Sequence, residues 1–122
     1  MILADTSVWI DHFRSGNREL RRALDQGQIL IHPWVVTELA LGSPRDRAGT
    51  LSMLELLPQA RVAQMSELRR MIEARRLYSV GIGLTDTQLI ASVFLSPATL
   101  LWTRDRPLRR VAEVLGIHAK LP

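Results

Sequence analysis

The constraint that most limits this chain is the order of its apolar segments, which are short and alternate with longer stretches of helical periodicity. Ile2 to Ala4 is an apolar run ending at Asp5-Thr6-Ser7, all three good helix N-caps, and Val8, Trp9, Ile10 and Phe13 follow at helical spacing. Gly16-Asn17 breaks that helix, and Arg18 to Gln26 reads as a second one with a basic face. Gln28 to His32 is a second strand, stopped by Pro33, which sits in the first turn of a helix over Trp34 to Leu41 ending at Gly42-Ser43-Pro44. Arg45 to Leu57 reads as a helix closed by Pro58, Ala60 to Ala63 as a strand, and Ser66 to Leu77 as a charged helix. After the Gly81-Ile82-Gly83 loop come a helix over Thr85 to Leu95, a strand over Leu100 to Thr103, a turn at Arg104-Asp105-Arg106, and a helix over Leu108 to Leu115 capped by Gly116. Ile117 to Leu121 reads as an edge strand. Strands that alternate with helices predict an α/β fold with a mainly parallel central sheet flanked by helices.

At 122 residues, 47% of them hydrophobic, the chain predicts one domain over 1–122, with no internal repeat, low-complexity tract or linker. No apolar run approaches the roughly 18 residues of a membrane span, and Met-Ile-Leu-Ala-Asp carries no basic leader, so no signal peptide and a cytoplasmic location are expected. The absence of cysteine excludes disulfides, thiolate zinc sites and a cysteine nucleophile. The net charge is +4, and all the basic residues but Lys120 are arginine. Arginine binds phosphate through a bidentate fork, which suits a nucleic-acid partner; a GC-rich coding bias gives the same composition.

Four acids stand in positions that ordinary surface chemistry does not fully explain. Parallel α/β sheets place their sites beyond the C-terminal ends of the strands, where Asp5 and Asp105 both follow strands directly. Helix capping accounts equally well for either residue alone. Glu38 advances at 100° per residue to a direction between Trp34 and Val35, on a helix that also carries Val36, Leu39, Ala40 and Leu41. Asp86 points between Ile90 and Val93, near Leu89 and Phe94, a placement that the helix dipole does not account for. Carboxylates on apolar faces lose solvation unless something positive meets them. A shared Mg²⁺, with Mn²⁺ as its substitute, satisfies all four and supplies charge for phosphodiester hydrolysis. Thr6, Ser7 and Thr103 are placed to orient carboxylates or water, or simply to cap turns, and Arg104 is a candidate phosphate contact.

The strings Ile-Leu-Ala-Asp5-Thr-Ser, Trp-Val-Val-Thr-Glu38-Leu, Gly-Ile-Gly-Leu-Thr-Asp86-Thr-Gln-Leu-Ile-Ala-Ser and Leu-Trp-Thr-Arg-Asp105, in that order along the whole chain, resemble the PIN-domain family and its VapC-type toxins. The resemblance implies a three-layer α/β/α PIN fold and a magnesium-dependent endoribonuclease. It also implies a homodimer, inhibition by a small cognate antitoxin, and metal binding and catalysis at Asp5, Glu38, Asp86 and Asp105. Many relatives carry a further acid shortly after the fourth; Arg106-Pro107-Leu108 stands here instead, which leaves one firm metal site.

Two other readings stay open. His12 with His118 or His32 could form a metal-free acid–base pair attacking through the RNA 2′-hydroxyl. Alternatively, the arginines at 18, 21 and 22 and at 69, 70, 75 and 76 could serve a catalytically silent RNA-binding module, although aromatics are only 5% of residues and form no stacking platform. Trp9, Phe13 and Trp34 read as core residues, or as partner contacts where exposed.

Overall fold

A computed structural model describes all residues from Met1 to Pro122. Three short strands, β1 (Ile2–Ala4), β2 (Ile29–Leu30) and β3 (Leu100–Trp102), form a parallel sheet in the order β2-β1-β3. Adjacent strand residues point to opposite faces, and Leu3 and Ala4, Ile29 and Leu30, and Leu101 and Trp102 are all buried, so helices cover both faces of the sheet. This is the expected three-layer arrangement. The helices are α1 (Thr6–Ser15), α2 (Arg18–Asp25), α3 (Pro33–Ala40), α4 (Arg47–Glu55), α5 (Met65–Arg75), α6 (Leu84–Leu95) and α7 (Arg106–Val114). None is long and apolar enough to cross a membrane.

β1 is central, and the strands that follow it in sequence lie on either side. The crevice of such a sheet opens beyond the carboxyl end of the strand where the order reverses, which here is Asp5. Apolar residues form one main core: Trp9 of α1 and Trp102 of β3 are fully buried, Phe13 and Trp34 only partly.

Two expected strands reduce to single bridges. Ala60 to Ala63 is not a strand; only Gln59 bridges to Ile31. Gln88, buried on α6, takes the place of a partner strand: its amide accepts from Ala63 N–H at 2.8 Å and donates to Ala63 C=O at 3.1 Å. A backbone whose donor and acceptor are both occupied by a side chain cannot extend a ladder. At the other edge, only His118 bridges to Leu101, because Lys120 adopts φ 59° and turns the chain away. β2 is shorter than Gln28 to His32 because the His32 ring already caps α3, accepting Trp34 N–H on Nδ1 at 2.9 Å. Helix α4 begins later than Arg45, since Asp46 adopts a left-handed conformation before it.

His32 is fully buried, and burial lowers its pKa to about 4, a shift that neighbouring Gln88 only partly offsets. In the unfolded chain the imidazole titrates near 6.5, so as pH falls the unfolded state takes up the proton first. This contribution to stability is therefore complete above about pH 6.5, declines as pH falls towards about 4, and is then flat, a difference of about 3 kcal/mol. We expect urea denaturation between about pH 7 and about pH 4.5 to show a shallower loss of stability for His32→Asn than for the wild type. Asn preserves a capping oxygen, so equal slopes in the two proteins would show that another group carries the acid sensitivity.

Candidate active site

Asp5 is the most enclosed of the acids, at 4% exposure. Its N–H makes the last β1–β3 bond, to Trp102 C=O at 2.9 Å, and the chain then turns into α1. Oδ1 accepts from the Ser7 hydroxyl and, at 3.2 Å, from Val8 N–H, which makes Asp5 the cap of α1. Oδ2 accepts from the Thr103 hydroxyl across the strand boundary. The same hydroxyls also receive backbone donors from the β3–α7 turn: Arg104 N–H reaches Ser7 Oγ at 2.9 Å and Asp105 N–H reaches Thr103 Oγ1 at 3.0 Å. Two parallel relays therefore run from the turn that carries Asp105 to the two oxygens of Asp5.

Asp105 is exposed and caps α7, accepting Leu108 N–H at 3.0 Å. Asp86 is half-buried in the first turn of α6 and accepts Gly83 N–H at 3.2 Å. It therefore has a capping contact as well as its place beside the buried Leu89 and Ile90.

Glu38 departs from the expected placement. Only Val35 and Leu39 of α3 are fully buried, Val36 packs against the core while partly exposed, Leu41 is 88% exposed, and Glu38 itself is exposed. An eight-residue helix buries a single i, i+4 stripe, and its other apolar residues remain near the surface. The Glu38 carboxylate accepts the Thr6 hydroxyl at 2.6 Å, which ties α3 to the start of α1.

The four acids interact through their charges. Burial raises the pKa of Asp5 against the opposing hydrogen bonds of Ser7, Thr103 and Val8, and the charge of Asp86 adds to the rise. Burial likewise raises Asp86, Gly83 N–H opposes, and the charges of Asp105 and Glu38 add. No cation compensates them. The two ion pairs of the molecule are Arg104–Asp11 at 2.6 Å and Arg109–Glu113 at 3.2 Å, and neither includes one of the four. Arg104, the expected phosphate contact, thus has its guanidinium on Asp11, a partner that sequence reasoning missed because nothing in the spacing signals it.

The donor chemistry fits a hard divalent ion: carboxylate oxygens only, desolvated in part, with no basic partner. Their spacing is looser than a finished coordination shell, since no three carboxylates or histidines stand at metal-ligand distance from a common point. Glu38 is exposed and held through one hydroxyl, that of Thr6.

The histidines do not assemble a rival site. Each uses Nδ1 to accept a backbone N–H: His12 from Asn17 at 3.0 Å, His32 from Trp34 at 2.9 Å, His118 from Lys120 at 3.1 Å. Burial lowers the pKa of all three, and none touches Asp5 or Asp105. The arginines of α2 and α5 lie on exposed faces, with Arg75 stacked on the Phe94 ring at 3.9 Å.

The PIN domain family profile matches residues 2–114. Ribonuclease VapC32 of Mycobacterium tuberculosis, from strain CDC 1551 / Oshkosh and from strain ATCC 25618 / H37Rv, is 40% identical over 117 residues, covering 96% of this chain and 94% of the relative. With a parallel sheet whose central strand ends in a buried aspartate, and with likeness over nearly its whole length, the chain belongs to the PIN-domain family and, within it, to the VapC-type proteins.

Proposed function

We propose that residues 1–122 act as a single PIN domain and that the protein is a Mg²⁺-dependent endoribonuclease toxin of a type II toxin–antitoxin pair. It works in the cytoplasm as a homodimer and is neutralised by a small cognate antitoxin. The observation that carries this reading is the set of four acids from four separate elements, each held by a hydroxyl or an amide and none paired with a cation, in a chain whose net charge is +4. The likeness to a protein named as a ribonuclease supports RNA as the substrate.

Asp5, Glu38, Asp86 and Asp105 would hold one Mg²⁺, or Mn²⁺ in its place. Bound there, the ion supplies positive charge to the phosphodiester and acidifies water. Ser7 and Thr103 fix the Asp5 oxygens, and Thr6 orients Glu38. Asp105 and Asp86 keep their capping bonds, so their helices set the direction of each carboxylate. The antitoxin neutralises the site by presenting a cation to the acids. The metal-free histidine route lacks a histidine pair bonded into this cleft, and a silent binding module leaves the uncompensated acids without a purpose.

Purified, partner-free protein should cleave RNA with Mg²⁺, stop in EDTA, and recover when Mg²⁺ is restored. Asp5→Asn keeps the shape and the capping oxygen; it should abolish both cleavage and the growth arrest caused by expressing the wild type. Cleavage that persists undiminished in EDTA would return the chemistry to the histidines. A folded, equally abundant and still toxic Asp5→Asn protein would make Asp5 a cap only.

The raised pKa of Asp86 adds a stability test. An acid whose folded pKa lies above its unfolded value destabilises the fold as pH rises through that interval, so at neutral pH its charge is a net cost. Asp86→Asn retains an oxygen for Gly83 N–H and removes the charge. It should raise the melting temperature in EDTA by several degrees, for a gain of about 1 kcal/mol. Saturating Mg²⁺ should reverse the order, because only the wild type gains the binding energy. A lower melting point for Asp86→Asn in EDTA, with no Mg²⁺ shift in either protein, would make Asp86 a structural acid.

A further inference from the structure

A groove beside α1 includes Glu38, one of the four acids. The first helical turn carries Thr6, bonded to Glu38, and the same face continues through Ile10 to Phe13 and Arg14, about 12 Å along the axis. Ile10, Phe13, Arg14, Glu38 and Leu39 line it together with the loop from Gly42 to Arg45. Ile10 is 45% exposed and Phe13 partly so, its ring leaning on Trp9 with centroids 5.9 Å apart. Arg14 and Arg45 are exposed, belong to different elements, and neither is in an ion pair.

We propose that this groove is a single-stranded RNA subsite, in which Arg14 and Arg45 hold phosphates next to the scissile one and Phe13 with Ile10 receives a base. The proposal rests on the ribonuclease reading and adds the path of the substrate to it. Single strands are bound by cations that track the backbone and by apolar or aromatic surface under the bases, and this groove offers both. A strand that delivers a phosphate to the acids must leave them along the surface, and Glu38 belongs to both the acid cluster and this groove. A second copy of the chain fits less well, because two-fold docking sets Arg14 and Arg45 against the same pair.

The test uses Arg14→Ala, Arg45→Ala and their double variant, with Arg61→Ala, exposed between α4 and α5, as a control of equal charge change. A fluorescein-labelled single-stranded RNA of mixed sequence, about 12 nucleotides long, is titrated in an Asp5→Asn background with Mg²⁺ over a range of salt. Each single variant should weaken binding roughly 5-fold to 10-fold near physiological salt, and the double variant should flatten the salt slope by about 1.4, the value for two phosphate contacts on a single strand. In the otherwise wild-type protein, KM for cleavage should rise by a similar factor with kcat within about twofold. Binding and slope equal to those of Arg61→Ala would overturn the proposal. So would a fall in kcat with KM unchanged, or unaltered RNA binding together with weakened capture of a protein partner. Failure of the wild type to cut any RNA speaks against the ribonuclease reading, whereas the binding titration still decides the groove.

Discussion

The fold and the site both depend on how one buried carboxylate is satisfied. Placing an ionised aspartate at the end of a central strand costs several kcal/mol unless its oxygens are met. Asp5 is met by Ser7, Val8 N–H and Thr103, which belong to the start of α1 and the end of β3. The bonds that make burial tolerable are therefore the bonds that fix α1 against the β3–α7 turn. Because Ser7 and Thr103 in turn accept Arg104 N–H and Asp105 N–H, the backbone that carries the second aspartate is set by the first. A hydroxyl that both donates and accepts is the only short side chain able to serve in such a relay, which explains serine and threonine at these two positions.

Much of this was legible in the sequence. Strands that end directly at Asp5 and near Asp105 follow from short β-rich runs meeting N-cap residues, and those are local signals. Asp86 was legible as an acid in the first turn of an apolar helix, and the structure adds the Gly83 amide that it caps. Glu38 was misplaced because periodicity gives the direction of a side chain around its helix but not how much of the helix the neighbours cover. On α3 they bury Val35 and Leu39, cover Trp34, Val36 and Ala40 in part, and leave Glu38 exposed. The strand expected at Ala60 to Ala63 failed for a non-local reason, a glutamine 25 residues away in sequence that takes both backbone groups of Ala63.

His32 and Gln88 couple the two sides of the cleft in the same way. His32 ends β2 and caps the helix that carries Glu38, while Gln88 stands two residues beyond Asp86 and clasps the segment leading into α5. Both are fully buried, at the positions where a sheet of this size has run out of strand to hold its helices in register. Gln88 has few alternative arrangements, since a shift would leave both its amide and the Ala63 backbone unmet, whereas His32 is held through Nδ1 alone and its Nε2 has no partner.

The distribution of charge completes the physical picture. A chain with far more arginine than lysine has many chances to neutralise four acids, and it does not take them. Arg104 is the instructive case. Its backbone N–H is fixed to Ser7, one residue before Asp105, yet its guanidinium lies on Asp11, outside the cluster. Asp11 thereby satisfies one of the two arginines that flank Asp105 and holds it away from the four acids. The acids therefore keep their mutual repulsion, which works against the folded state. Burial is the main cause of the raised pKa values of Asp5 and Asp86, and the charges of the neighbouring acids add to it, so the site carries its acids at a cost to the fold.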